Sequence, residues 1–168
     1  MPIQYIKGNL FDHLQPNDLI CHVVNDIYKW GSGFVVPLGE RFPEAKEAYL
    51  NWKHDVRPQC AVTATALSLG HVQFVLSWLN VKKGEGITIV NMCAQKGVRS
   101  KNNPHPLDYS ALSSCMYYVL KYCSPSWAPP FRIIAPKFGA GLAGGDWTTI
   151  EKMIEENWKD LPVIICEL

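Results

Sequence analysis

Long apolar runs, a surplus of charge of one sign and clustered cysteines are all missing from this sequence. No apolar segment reaches the roughly 20 residues that a membrane-spanning helix needs, so no membrane partner is expected. The formal net charge of +1 gives no broad basic surface for a nucleic-acid duplex, so a nucleic-acid partner is not indicated. The first residues alternate like a strand and lack the charged leader and apolar core of a signal peptide, which predicts a cytoplasmic location.

The six cysteines form no C-x-x-C pair and have no histidine at metal-ligand spacing, so neither a metal nor a cofactor is expected. We interpret them as buried thiols in a reducing compartment. They are Cys21, Cys60, Cys93, Cys115, Cys123 and Cys166.

The length and composition fit one globular domain, residues 1–168, because 48% of the residues are hydrophobic and 18% are charged. Hydrophobic periodicity predicts the elements of that domain. Strands are predicted at IQYIKG, DLICHVVN, HVQFVLSW, ITIVNMCA, FRIIAPKF and PVIICEL. Helices are predicted in residues 35–52, with a break at Pro43, and at LDYSALSSCMYYVLKY and DWTTIEKMIEENW. This order favours a three-layer α/β/α fold with a mixed central sheet.

Two glycine-containing loops each follow a buried strand of the predicted sheet. The first, NDIYKWGSGF, covers residues 25–34, and the second, FGAGLAGGDW, covers residues 138–147. Glycines at such positions let backbone N–H groups approach an anion closely, and a following helix N-terminus adds further free donors. One such loop is commonly an ordinary turn, but two at neighbouring strand ends favour a ligand with more than one phosphate.

These motifs resemble those of the macrodomains, a family that binds ADP-ribose. YIKGNLF resembles the opening strand of the family, HVVND…WGSGF its first substrate loop and PKFGAGLAGGDW its second phosphate loop, so the resemblance covers nearly the whole chain. It is most similar to the Appr-1″-p processing branch, which includes the ADP-ribose-1″-phosphate phosphatases and the terminal ADP-ribose protein glycohydrolase. The resemblance implies a macrodomain-like fold and, as ligand, ADP-ribose, ADP-ribose 1″-phosphate or an ADP-ribosylated protein.

The resemblance also implies which residues contact the ligand. Asn9 replaces an aspartate that accepts the adenine amino group, and its carbonyl can still accept that bond. Asn25 and Asp26 would face the distal ribose, with ordinary turn chemistry after a strand as the open alternative. The implied ligand-binding residues are Asn9, Leu10, Asn25, Asp26, Trp30, Gly31, Ser32, Gly33, Phe34, Phe138, Gly139, Ala140, Gly141, Leu142, Ala143, Gly144 and Gly145.

Two side chains are candidates for catalysis, His22 and Asp146. His22 lies in an apolar strand, where a core histidine with hydrogen-bonded nitrogens is the usual case. Some macrodomain phosphatases have a histidine at the matching position, and there it could exchange a proton with a leaving ribose oxygen or an attacking water. Asp146 either caps the last long helix through the amide of Thr148 or Thr149, or acts as a base on water at the distal ribose.

The glycohydrolase branch uses a lysine nucleophile and an assisting aspartate that are replaced in this sequence. The lysine position falls on Gln95, with Lys96 one residue later, and the aspartate position falls on Ala143. A shift of one residue along a strand turns a side chain to the opposite face, so Lys96 is a poor substitute unless a bulge redirects it.

The sequence therefore favours a hydrolase, an ADP-ribose-1″-phosphate phosphatase that relies on positioning and backbone electrostatics. A non-catalytic module that recognises ADP-ribose is the alternative, because it needs only the two loops. Removal of ADP-ribose from carboxylate side chains is disfavoured by the replaced lysine and aspartate. Other nucleotide-binding folds are disfavoured because the chain lacks a G-x-x-x-x-G-K-[ST] motif and a G-x-G-x-x-G after its first strand.

Overall fold

The computed structural model describes residues 2–53, 61–62 and 66–168, which form one seven-stranded sheet and four α-helices. The strands are β1 (Gln4–Lys7), β2 (Asp18–Asn25), β3 (Ala61–Val62), β4 (Val72–Asn80), β5 (Glu85–Gln95), β6 (Arg132–Ala135) and β7 (Val163–Glu167). The helices are α1 (Val35–Arg41), α2 (Pro43–Leu50), α3 (Tyr109–Cys123) and α4 (Trp147–Asn157). None of these helices is long and apolar enough to cross a membrane.

The sheet has the strand order β1-β7-β6-β2-β5-β4-β3 and is mixed, as predicted. The first five strands in this order, β1, β7, β6, β2 and β5, run parallel to one another. β4 pairs antiparallel with both β5 and β3. β2 therefore lies in the middle of the sheet, and its near-complete burial explains why DLICHVVN is a continuous apolar run. Because β2, β5 and β6 are parallel, their carboxyl ends lie at the same edge of the sheet.

Helices cover both faces of the sheet, so the predicted three-layer α/β/α fold is confirmed. On one face, α3 and α4 bury Leu112, Met116 and Ile154 in the larger core cluster. On the other face, α2 buries Ala45 and Ala48. These small side chains allow the backbone of α2 to approach the sheet closely, and two of its carbonyls contact buried side chains of the sheet.

Several element boundaries differ from the sequence prediction. The helix break at Pro43 is present, since α1 ends at Arg41 and α2 begins at Pro43. The β4–β5 hairpin is also present, but both strands are longer than predicted. β3 and a 3-10 helix at Leu10–His13 were not predicted, because elements of two and four residues are too short to show a periodic pattern.

The described cysteines are free thiols, but one of them is not buried as expected. Cys123 is partly exposed at the end of α3, and partial burial raises its pKa to about 11. The other four are buried: Cys21, Cys93, Cys115 and Cys166. Burial raises the pKa of Cys93 to about 12, so this thiol stays protonated and weakly nucleophilic at neutral pH. Cys60 lies outside the described residues.

Candidate functional site

A cavity of about 490 Å³ opens where β2, β5 and β6 end. Its walls come from these strand ends and from the three loops that follow them, which we call loop 1 (residues 26–34), loop 2 (residues 136–146) and loop 3 (residues 96–106). Loops 1 and 2 contain the two glycine motifs of the sequence. The cavity therefore lies at the carboxyl ends of central strands, where ligands bind in open α/β sheets.

The cavity brings together predicted site residues from β2 and from both glycine loops. They are His22, Asn25, Gly31, Ser32, Gly33, Phe34, Phe138, Gly139, Gly141, Leu142 and Ala143. The remaining predicted residues do not line it: Asn9, Leu10, Asp26, Trp30, Ala140, Gly144, Gly145 and Asp146. Ligand contacts stay predictions for both groups. Several residues of the second group have structural roles in the protein.

Asn9 and Leu10 lie in the turn after β1 and stabilise it. The Asn9 Oδ1 accepts a hydrogen bond from the Phe11 amide at 2.9 Å and so caps the 3-10 helix. Leu10 is 4% exposed and belongs to the core on the α1–α2 face. The carbonyl that the resemblance assigns to adenine is thus already engaged within its own turn.

Asn25 shapes loop 1 with almost all of its hydrogen-bonding capacity. Its Oδ1 accepts from the amides of Ile27 and Lys29 and from the hydroxyl of Tyr49, at 3.1, 3.0 and 2.7 Å. Its Nδ2 donates to the Lys29 carbonyl at 2.7 Å. These bonds are the turn chemistry that the sequence kept as an alternative, and they leave one Nδ2 hydrogen for a ligand.

Asp26 connects loop 1 to loop 3. Its Oδ1 accepts a hydrogen bond from the Gly97 amide at 2.8 Å, and its own amide donates to the Gln95 carbonyl at 3.0 Å. Loop 3 in turn contacts loop 2, because the His105 Nδ1 donates to the Gly144 carbonyl at 3.0 Å. Loop 3 therefore holds the two glycine loops in a fixed relation on either side of the cavity.

The glycines of loop 2 divide into two groups. Gly139 and Gly141 line the cavity. Gly144 and Gly145 instead pack against the chain: a Cβ on Gly144 would lie 2.8 Å from the Pro104 carbonyl, and one on Gly145 would lie 2.5 Å from the Gly139 carbonyl. The second pair is therefore required for close backbone packing that positions the first pair.

His22 lines the cavity from β2 and is 2% exposed. Its Nε2 lies 2.5 Å from the Asn91 Oδ1, and its ring meets the rings of Trp30 and Phe34 edge-on, with centroids 5.6 and 5.8 Å away. Its Nδ1 has no hydrogen-bond partner in the part of the chain that the structure describes. Burial lowers the His22 pKa to about 4, and the bond to Asn91 offsets this in part, so the ring is neutral at pH 7.

The buried His22 makes the stability of the fold depend on pH. Between about pH 6.5 and 4 the unfolded chain binds a proton at His22 that the folded chain does not, so stability falls as the pH falls through this window. We expect His22→Gln, which keeps a donor for Asn91 but does not titrate, to flatten this part of the profile. Denaturant unfolding of both proteins from pH 7.5 to 4 measures the difference. Parallel profiles would contradict a depressed pKa at His22.

Asp146 is exposed and caps α4. Its Oδ2 accepts from the amide and hydroxyl of Thr149, at 3.1 and 2.8 Å. These bonds, the one from the hydroxyl first, lower the pKa of Asp146. The carboxylate thus has the helix-cap role that the sequence gave as one of two alternatives.

Three cations line the cavity that the sequence analysis did not single out: Lys29, Arg99 and Lys137. Lys137 forms an ion pair with Glu167 at 2.6 Å, whereas Lys29 and Arg99 have no ion pair among the described residues. None of the described residues that line the cavity carries a carboxylate. The cavity therefore favours an anion. A lysine inside or beside a glycine motif was the available signal for Lys29 and Lys137, whereas Arg99 lies in loop 3, away from both motifs.

The strand end beside loop 3 places Gln95 at the cavity and leaves Lys96 off its lining. The register between β2 and β5 shifts at this point, since Val24 pairs with Cys93 and Asn25 with Gln95. Even with this irregularity, Gln95 and not Lys96 lines the cavity. Ala143 also lines the cavity, so neither replaced position of the glycohydrolase pattern supplies an ionisable group there.

No protein-family model matches the chain. A solved structure from Bacteroides thetaiotaomicron, of unknown function, is 30% identical with a TM-score of 0.79 and covers 100% of this chain and 99% of its own. The macrodomain protein from Streptomyces coelicolor is 26% identical with a TM-score of 0.73, and each chain is 99% covered. Thermosipho africanus DarTG, solved in complex with ADP-ribose, shares the fold at 12% identity and a TM-score of 0.70, over 98% of this chain and 41% of that one.

One match in sequence carries an activity in its name. ADP-ribose 1″-phosphate phosphatase of Candida albicans is 34% identical over 55 residues, which are 31% of this chain and 35% of that protein. The chain thus matches about a third of this relative. Together with the likeness to the Streptomyces macrodomain protein over the full length, the three-layer fold and the paired glycine loops, this match shows that the chain has the macrodomain fold and is similar in sequence to macrodomain proteins.

Proposed function

We propose that the protein binds ADP-ribose in the cavity between loops 1 and 2, and that it hydrolyses ADP-ribose 1″-phosphate to ADP-ribose and phosphate. The observation that carries the proposal is the cavity itself: glycines of two loops and three cations line it, and no carboxylate does so within the described ranges. Such a wall suits a diphosphate held by backbone N–H groups. The ligand named for the Thermosipho protein and the activity named for the Candida relative support this choice.

His22 is the side chain that we assign to catalysis. A neutral imidazole whose Nδ1 has no partner among the described residues can accept a proton or a hydrogen bond from an attacking water, whereas its Nε2 is engaged with the Asn91 Oδ1 and cannot serve a leaving group. Its role is therefore that of an acceptor rather than an acid. Backbone donors of the glycine loops would stabilise the phosphate charge.

A non-catalytic ADP-ribose module is the second candidate, and the burial of His22 favours it. With a pKa of about 4 this histidine is a weak base, and no carboxylate among the described lining residues replaces it. A module that recognises ADP-ribose, free or on a protein, needs only the loops. Glycohydrolase chemistry lacks its nucleophile, since Gln95 and Ala143 occupy the two positions.

Calorimetric titration with ADP-ribose, AMP and ribose 5-phosphate tests the binding proposal. We expect saturable binding that is strongest for the complete ADP-ribose molecule, because the two glycine loops and the cations act on both of its phosphates. Equal or absent binding of the three compounds would contradict the assignment of the cavity.

Phosphate release from ADP-ribose 1″-phosphate separates the enzyme from the module. We expect His22→Gln to slow release roughly tenfold or more, because the acceptor at Nδ1 is lost. Asp146→Ala tests the other candidate: its carboxylate lies outside the cavity lining and caps α4, so we expect release to continue at the wild-type rate once folding is verified. Release that His22→Gln leaves unchanged would refute the role of His22, and no release by the wild type would favour the module.

A further inference from the structure

Three buried polar side chains form a row across the sheet beneath the cavity. They are Gln73 on β4, Asn91 on β5 and His22 on β2, and the strand registers place Gln73 opposite Asn91 and Asn91 opposite His22. Gln73 and Asn91 are 0% exposed. The Asn91 Nδ2 donates to the Gln73 Oε1 at 3.0 Å, and the Asn91 Oδ1 lies 2.5 Å from the His22 Nε2.

Two backbone carbonyls of α2 fix the direction of this row. The Ala48 carbonyl lies 2.9 Å from the Gln73 Nε2, and the Ala45 carbonyl lies 3.3 Å from the Asn91 Nδ2. A carbonyl oxygen accepts and cannot donate, so the groups facing α2 must be the amide nitrogens. The oxygens of both amides therefore point along the row towards His22.

The direction of the row determines the tautomer of His22. Both hydrogens of the Asn91 amide have acceptors, and its Oδ1 faces the imidazole, so the His22 Nε2 must carry the hydrogen of that bond. The lone pair of the neutral ring is then on Nδ1. Among the described residues, Nδ1 is the buried side-chain polar atom that has no partner, and it belongs to a side chain that lines the cavity.

We propose that Asn91 and Gln73 are positioning residues that hold His22 in the Nε2–H tautomer, which leaves Nδ1 to accept a hydrogen bond from a hydroxyl of the bound ligand. The first half of this proposal concerns the free protein alone. The second half rests on the proposed function, because it requires ADP-ribose in the cavity. An orphaned buried acceptor is unfavourable in the free protein, and a ligand that supplies a donor gains from satisfying it.

Nitrogen-15 NMR of the ligand-free protein at pH 7 tests the tautomer. Long-range correlations between ring protons and ring nitrogens distinguish a protonated Nε2 from a protonated Nδ1. We expect His22 to show the Nε2–H pattern. The opposite pattern, or an averaged one, would overturn the proposal whether or not ADP-ribose binds.

Gln73→Met tests the positioning role. Methionine has a similar length but removes the shorter of the two hydrogen bonds that orient the Asn91 amide and leaves only the one to the Ala45 carbonyl, so we expect a mixture of His22 tautomers and roughly three- to tenfold weaker ADP-ribose binding. Thr88→Val is the matched control, because Thr88 is also buried on β5 but lies outside the row. It should leave the tautomer and the affinity unchanged even if it lowers stability. A wild-type tautomer pattern in Gln73→Met would refute the role of Gln73.

Addition of ADP-ribose to the labelled wild type tests the ligand half. We expect the Nδ1 resonance to move as this atom gains a donor, and AMP, which lacks the distal ribose, to move it less. Calorimetric binding without a change at Nδ1 would overturn the acceptor role. An absence of binding would overturn both the acceptor role and the proposed function, while the ligand-free spectrum would still decide the tautomer.

Discussion

Replacing Gly141 with glutamate is expected to weaken ADP-ribose binding about 100-fold while the fold is retained. Gly141 lines the cavity, its backbone conformation is one that other residues adopt, and a Cβ built on it has no neighbour within 4 Å. The new carboxylate would therefore sit beside the diphosphate without a clash in the free protein. Like charges about 5 Å apart near a protein surface repel by about 3 kcal/mol, which corresponds to the expected loss in affinity.

Gly141→Gln is the matched control for this experiment, because glutamine has nearly the same size without the charge. Calorimetric titration of both variants, after their melting curves have been compared with that of the wild type, separates the steric from the electrostatic part. We expect glutamine to cost much less affinity than glutamate. Equal losses would mean that the cavity does not hold an anion at this point, and unchanged affinity in both variants would place the ligand elsewhere.

The parts of the fold that were predicted correctly from the sequence are those with a strong local pattern. The apolar run of β2, the helical spacing of α3 and the proline at the start of α2 each indicate their element without reference to the rest of the chain. The position of the cavity could also be predicted from the sequence, because loops after parallel strands meet at one sheet edge. Both glycine loops do line the same cavity.

The roles of individual residues at the site depend on contacts that no local pattern encodes. Gly141 and Gly145 occur in one motif, yet the first lines the cavity and the second packs on the Gly139 carbonyl, a difference set by the path of loop 2 over Leu107 and Ile150. Asn91 reaches His22 only through the register of β5 on β2. A polar residue inside the apolar strand ITIVNMCA was the available signal for Asn91, and its partner could not be read from the sequence.

Gly145→Ala is expected to lower the free energy of unfolding by about 3 kcal/mol. A Cβ at this position would lie 2.5 Å from the Gly139 carbonyl and 2.4 Å from the Leu107 Cδ2. Leu107 can rotate, but the carbonyl cannot move freely, since it accepts the Gly145 amide hydrogen bond at 2.8 Å. Loop 2 must therefore open at its base, and Leu107, 8% exposed in the core, must shift with it.

Gly141→Ala, in the same loop, is the matched control, because its added methyl group meets nothing within 4 Å. Its stability should stay within about 0.5 kcal/mol of the wild type. Denaturant unfolding at pH 7 measures both variants. If both alanine variants were equally stable, the close packing at Gly145 would not hold loop 2 in place, and the separation of its glycines into cavity-lining and packing residues would be wrong. If only Gly145→Ala is destabilised, the shape of the cavity wall depends on a glycine that is not part of its lining.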